Sequence, residues 1–134
     1  MSTSAACCPE VVARAFVDAF NRRDADALIA VSDPDIEWQP SVLVGSRRTY
    51  RGHEGLRRWV EDLRGAVIQH RSEVRSVTVL DEHRFAVVCD VFIDGEFATA
   101  GAMVARFGGT GTIVEGRGYL TDAAMLRQLG IFGD

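Results

Sequence analysis

One carboxylate stands inside the apolar run from Phe85 to Phe92: Asp90, between Cys89 and Val91. An aspartate in such a run is costly to bury unless it is paired, hydrated or functional. If the run is a strand, alternation puts Ala86, Val88, Asp90 and Phe92 on one face and Phe85, Val87, Cys89 and Val91 on the other. Asp90 then either lines an interior pocket as an acid/base group or lies on the solvated side of a sheet or in a dimer interface. Glu37, in the segment Ile36 to Pro40, is the second carboxylate of interest. One register turns Glu37 and Gln39 inward, where Glu37 and Asp90 can meet and divide the roles of acid and base. The other turns Ile36 and Trp38 inward and leaves Glu37 in water.

Other chemistries are less supported. His53, His70 and His83 show no i, i+4 pair and no companion cluster, so no metal site is expected. All fifteen basic residues are arginine; without a lysine there is neither Schiff-base chemistry nor a Walker-type phosphate loop, and no cofactor is expected. An all-arginine bias fits a GC-rich bacterial genome. Cys7, Cys8 and Cys89 have no zinc or disulfide spacing, which makes a reducing cytoplasm the expected compartment. A net charge of −4 argues against nucleic acid or an anionic membrane as partner, and no stretch is long and apolar enough to span a bilayer. The arginines at 47, 48, 51, 57 and 58 read as a solvated face beside a helix, with an anion site as the other reading.

The elements that must position these groups follow from periodicity. Residues 1–8 read as a disordered leader and 9–134 as a single domain. After Pro9, the residues Val12, Ala15, Phe16, Ala19 and Phe20 form one apolar stripe, with Glu10, Arg14, Asp18 and Arg22 opposite. Asp24 is placed to cap a short helix through Leu28 that ends at Asp33-Pro34. Ile36 to Gln39 reads as a short strand, and Gly52 opens a third helix buried through Leu56, Trp59, Val60 and Leu63. From there the period becomes two. Strands are predicted near 69–80, 84–94, 97–107 and 112–121, with turns at Asp81-Glu82, Asp94-Gly95 and Gly108-Gly109. A last helix is predicted from Asp122 to Leu129, stopped by Gly130. Helices first and antiparallel strands afterwards is an α+β pattern.

The helix stripe, the Ile36 to Pro40 segment and the terminal run through Glu115, Arg117 and Tyr119 together resemble the NTF2-like (SnoaL-like) superfamily, from about Pro9 to Ile131. The resemblance implies a cystatin-like cone: three N-terminal helices on a strongly curved, mostly antiparallel sheet that encloses an apolar pocket. It also implies a homodimer through the sheet. Ketosteroid isomerase, one relative, places a tyrosine and two aspartates where this chain has Phe16, Gln39 and Met103, none of which transfers a proton. Limonene epoxide hydrolase, another, uses an Arg-x-Asp pair and a second aspartate. Here those positions read Val88-Cys89-Asp90 and Gly118, so one group of three is kept. Polyketide cyclases of this type need a single carboxylate beside an aromatic ligand.

The implied pocket lining is Phe16, Phe20, Gln39, Trp59, Val88, Phe92, Met103 and Gly118, with Asp90 and Glu37 as the catalytic candidates. Two functions follow. One is an isomerase, cyclase or hydrolase acting on an apolar or polycyclic substrate through Asp90. The other is a non-catalytic ligand-binding or dimeric assembly module.

Overall fold

In a computed structural model the chain is described at residues 9–40, 49–66 and 69–120, with backbone alone at 119 and 120. The expected leader over 1–8 and the closing helix from Asp122 to Leu129 lie outside the described residues. Helix α1 (Pro9–Arg22) buries Val12, Ala13, Phe16, Val17, Ala19 and Phe20. Its wet face is laced by i, i+4 ion pairs, Arg14 to Glu10 at 2.9 Å and Arg22 to Asp18 at 2.8 Å. Helix α2 (Ala25–Ala30) starts where Asp24 caps it, the carboxylate accepting the Ala27 N–H at 3.1 Å. Helix α3 (Gly52–Arg64) buries the four expected residues, Leu56, Trp59, Val60 and Leu63.

Six strands make one sheet: β1 (Ser32–Gln39), β2 (Tyr50–Arg51), β3 (His70–Val79), β4 (Arg84–Ile93), β5 (Glu96–Phe107) and β6 (Ile113–Leu120), in the order β2-β1-β6-β5-β4-β3. Among the described strands only the β1–β6 pair is parallel. This is the expected α+β arrangement of helices on a mostly antiparallel sheet. At the β4–β5 turn both Asp94 and Gly95 have positive φ, 51° and 89°, which is the hairpin geometry that Asp-Gly favours. At the β3–β4 turn Asp81 accepts from the backbone N–H of His83 and Arg84 and from the Arg84 guanidinium. Those bonds hold its carboxyl below the usual range.

Strand β1 is longer than its sequence suggests. It begins at Ser32 and runs through Pro34, because the register against β6 shifts between Ser32 (opposite Ile113) and Glu37 (opposite Glu115). A proline is tolerated in such an irregular stretch, where no ladder donor is required. The short strand β2, which has no sequence signal of its own, pairs Tyr50 with Trp38 and Arg51 with Glu37.

The core lies between the helices and one face of the sheet, and joins Phe16, Phe20, Trp59 and Leu63 to Ile36, Trp38, Phe85, Val87, Met103 and Ile113. Gly116 is what lets Trp38 into it. A Cβ at position 116 would stand 2.9 Å from Cε3 and 3.0 Å from Cζ3 of that indole.

Helix α1 ends in a two-bond cap, Asp24 N–H to Ala19 O and Arg23 N–H to Phe20 O, both 3.0 Å. The cap puts Arg23 at φ 55°, where glycine is the usual occupant and a left-handed L-residue costs about 1–2 kcal/mol. The guanidinium offsets this by donating to the carbonyls of Phe20 (2.8 Å) and His70 (2.9 Å), with Cζ 4.8 Å from the Phe20 ring centre. Beside it, Asn21 exchanges two hydrogen bonds with the backbone of Ser72, at 2.8 and 2.9 Å, much as a neighbouring strand would. His70 packs on Phe20 at 5.1 Å. Its burial, reinforced by the nearby Arg23 charge, lowers the imidazole pKa.

Two stability outcomes are expected. Gly116→Ala should cost about 1–3 kcal/mol in chemical denaturation, the cost of forcing atoms into a filled site. For His70 the folded pKa lies below the unfolded value of about 6.5, so the unfolded chain binds the proton first. This histidine's contribution is therefore full above that pH and is lost as pH falls through the folded value. His70→Gln should flatten the decline of stability below pH 6.5, about the unfolded histidine pKa, and an unchanged slope would refute the assignment.

Candidate functional site

The inner wall of the sheet is aromatic. Trp38 lies 5.1 Å from Phe16 and 5.1 Å from Trp59, and Trp59 stacks on Phe20 at 5.4 Å and meets Tyr50 at 6.4 Å. Strand β1 brings Trp38, α1 brings Phe16 and Phe20, and α3 brings Trp59. Within this wall the Nε1 of Trp38 is buried without a hydrogen-bond partner, as is Nδ1 of His70 beside Phe20. The Tyr50 hydroxyl donates to the Asp62 carboxylate. Met103 belongs to the same core, and Gly118 stands opposite it on β6.

Of the ten residues singled out by sequence, Phe16, Phe20, Trp59, Met103 and Gly118 thus fall on or beside the inner wall. The other five do not. Val88 clusters with Ala86 and Ala102 in a separate apolar group away from the main core. By strand alternation Asp90 and Phe92 share its side. The face-mates were read correctly, but the face turned toward the helices is the other one, carrying Phe85, Val87 and Cys89. Alternation could not choose between them because both sides of β4 are apolar.

Asp90 has an identifiable partner. A register shift in β3 between Val74 and Ser76 leaves Arg75 as an extra residue, and its Nη1 lies 3.6 Å from the Asp90 carboxylate. Glu73 stands directly opposite Asp90 and is itself paired with Arg71 at 2.8 Å. With an Asp90 side-chain exposure of 28% and an Arg75 exposure of 63%, this pair is worth under about 1 kcal/mol. On the other face, burial and the Asp90 charge push the Cys89 thiol up to about 12, so it stays protonated and unreactive.

Glu37 is in water and bonds Arg51 at 2.5 Å, while Ile36 and Trp38 are buried at 0% and 5% exposure. Strand β1 therefore takes the second of the two registers, and Gln39 alternates to the Glu37 side. The meeting of Glu37 with Asp90 across the interior, which the first register would allow, does not occur. Trp38, inward in that second register, was not among the pocket-lining residues expected from sequence. Its signal was the apolar alternation Ile36, Trp38, which outweighs the interleaved polar residues Glu37 and Gln39.

Among the described residues no carboxylate is buried; the buried polar residue is Ser32, whose hydroxyl donates to Leu28 O at 2.7 Å. Nor is any group of three or more His, Cys, Asp or Glu residues arranged among them to hold a metal ion. No described helix is long and apolar enough to cross a membrane.

Comparison with solved structures returns the same architecture. An NTF2-like protein of unknown function from Burkholderia pseudomallei superposes with a TM-score of 0.69 at 22% identity, covering 88% of this chain and 94% of that one. A candidate polyketide cyclase from Xanthomonas campestris gives 0.68 at 18% identity, with 90% and 95% covered. A ketosteroid isomerase-like protein from Erwinia carotovora gives 0.59 at 17% identity, with 90% and 99% covered. At such identities these likenesses bear on the fold alone. A comparison with curated proteins finds no match. The SnoaL-like domain profile matches residues 13–120, and the chain belongs to that family.

Proposed function

We propose that this protein binds an apolar ring-bearing small molecule against its aromatic inner wall, and that binding, not proton transfer by Asp90, is its activity. One observation carries this reading: the indole N–H of Trp38 is buried and unpartnered inside a largely aromatic wall. A buried donor without an acceptor costs about 1–3 kcal/mol, and a ligand carbonyl or hydroxyl oxygen would satisfy it. Ring systems carrying such oxygens also match the cyclase and isomerase names borne by two structural relatives. The acid/base alternative is weakened because Asp90 and Glu37 both lie off the wall, each beside an arginine.

A second copy of the chain is the proposed partner. The side of β4 and β5 away from the helices, where Phe92 meets Phe97 and Phe97 is 60% exposed, offers it a surface. Light scattering should then report a dimer mass, and a monomer would refute it.

Both tryptophans lie in the wall, so ligand entry should change intrinsic fluorescence. Titration with polycyclic ketones, and with an environment-sensitive apolar dye that they displace, should saturate at about one site per chain. Trp38→Phe keeps the ring and removes the donor, and should weaken ketone binding by about fivefold to tenfold. Asp90→Asn should leave it unchanged. Absence of saturable binding would mean a packed core, and turnover abolished by Asp90→Asn would restore the enzyme reading.

A further inference from the structure

A concavity, separate from the aromatic wall in its chemistry, opens where α1 gives way to α2. It has a volume of about 530 Å³ and is lined by Arg22, Arg23, Asp24 and Asp26 from that junction and by Arg57 and Arg64 from α3. Four guanidinium groups face two carboxylates, which leaves a lining with two net positive charges in a chain whose net charge is −4. The carboxylates are already engaged. Asp24 caps α2 and holds Arg22 at 2.9 Å, while Asp26 holds Arg57 at 3.3 Å. Arg22 is further tied to Asp18.

Arg23 and Arg64 are different. Among the described residues neither has a carboxylate within ion-pair distance. Arg64 is exposed and, among the described residues, donates one hydrogen bond, from Nη2 to Arg23 O at 2.9 Å, so its Nε and Nη1 remain available to a ligand. Arg23 Nε is buried with no partner. Desolvation lowers the pKa of this guanidinium, as expected of a cation held without a counter-ion. Arg23 also occupies the left-handed position where glycine would be least costly. The fold thus concentrates positive charge in one cleft and leaves part of it unneutralised.

We propose that this cleft binds a phosphate monoester dianion, with Arg64 and Arg57 as its principal contacts and Arg23 supplying field from behind. Arg22 is held by Asp18 and Asp24 and Arg57 by Asp26, so among the described residues the lining cations without a carboxylate partner are Arg23 and Arg64. A dianion matches both, whereas a lone carboxylate would leave one uncompensated. Guanidinium forks suit phosphoryl oxygens in geometry and hydration, and the volume accommodates an organic group beyond the phosphate itself. The site does not depend on the ligand proposed for the aromatic wall, and the two can fail separately.

Calorimetric titration of the full chain at low ionic strength would compare inorganic phosphate, phenyl phosphate and benzoate. Phenyl phosphate should bind at one site per chain, about tenfold tighter than benzoate, and should weaken with added salt. Arg64→Gln and Arg57→Gln should each reduce its affinity by about fivefold to tenfold. Arg58→Gln removes the same charge from the exposed part of α3 outside the cleft and should change affinity less than about twofold. Trp38→Phe should have no effect. Phenyl phosphate binding no tighter than benzoate, or equal losses in the Arg58 and Arg64 variants, would overturn the proposal. The cleft would then be a generally basic surface.

Discussion

The contact between Trp38 and Gly116 decides what the interior of this protein is made of. The two residues face each other across the parallel β1–β6 pair, and the indole occupies space that any side chain on residue 116 would need. With Trp38 fixed inward, Ile36 goes inward as well, and Glu37 and Gln39 are carried to the other side. The same ring touches Phe16 of α1 and Trp59 of α3, so one steric pairing orients two helices against the sheet. A slip of one residue would bring a carboxylate and an amide inside and expel the indole.

This dependence explains which parts of the structure were legible in the sequence. Helices α1 and α3 were, because their apolar stripes recur at helical spacing and face a single core. The Asp94-Gly95 turn was also readable, because two successive positive φ values need the residues found there. Strand β1 was read too short, since Pro34 counts as a breaker unless the neighbouring ladder is known to be irregular at that point. Strand β4 gave the correct partition into faces and the wrong assignment of faces to sides. Its neighbour held the missing information. Arg71, Glu73 and Arg75 form a charged row on β3, and with the register in hand that row marks the Asp90 side as the wet one. Register is a long-range property, and alternation within one strand does not contain it.

The distribution of polar groups has a chemical consequence. The acidic groups that could serve as bases are on the outside and neutralised locally, Asp90 by Arg75 and Glu37 by Arg51. The inner wall keeps nitrogen instead, in the indole of Trp38 and the imidazole of His70. His70 is held toward its neutral form by burial and by Arg23. The Cys89 thiol is kept protonated by its surroundings. A wall of this kind suits the binding we propose for an oxygen-bearing ring system. Among the described residues it presents no buried carboxylate, and packing alone accounts for how the fold is held together.

The junction of α1 and α2 follows the opposite principle. Its geometry is that of a common helix stop, which glycine would build at least cost. An arginine stands there, and its guanidinium is spent on the carbonyls of Phe20 and His70 and on the Phe20 ring. Those contacts stitch the end of α1 to the start of β3, which accounts for why an arginine is tolerated. They do not account for Arg64, whose backbone partner is Arg23 itself and which adds a second unneutralised cation to the same cleft. Arg64 stands in the last turn of α3, where a cation complements the helix C-terminus, and the proposed anion would use the donors that this role leaves open.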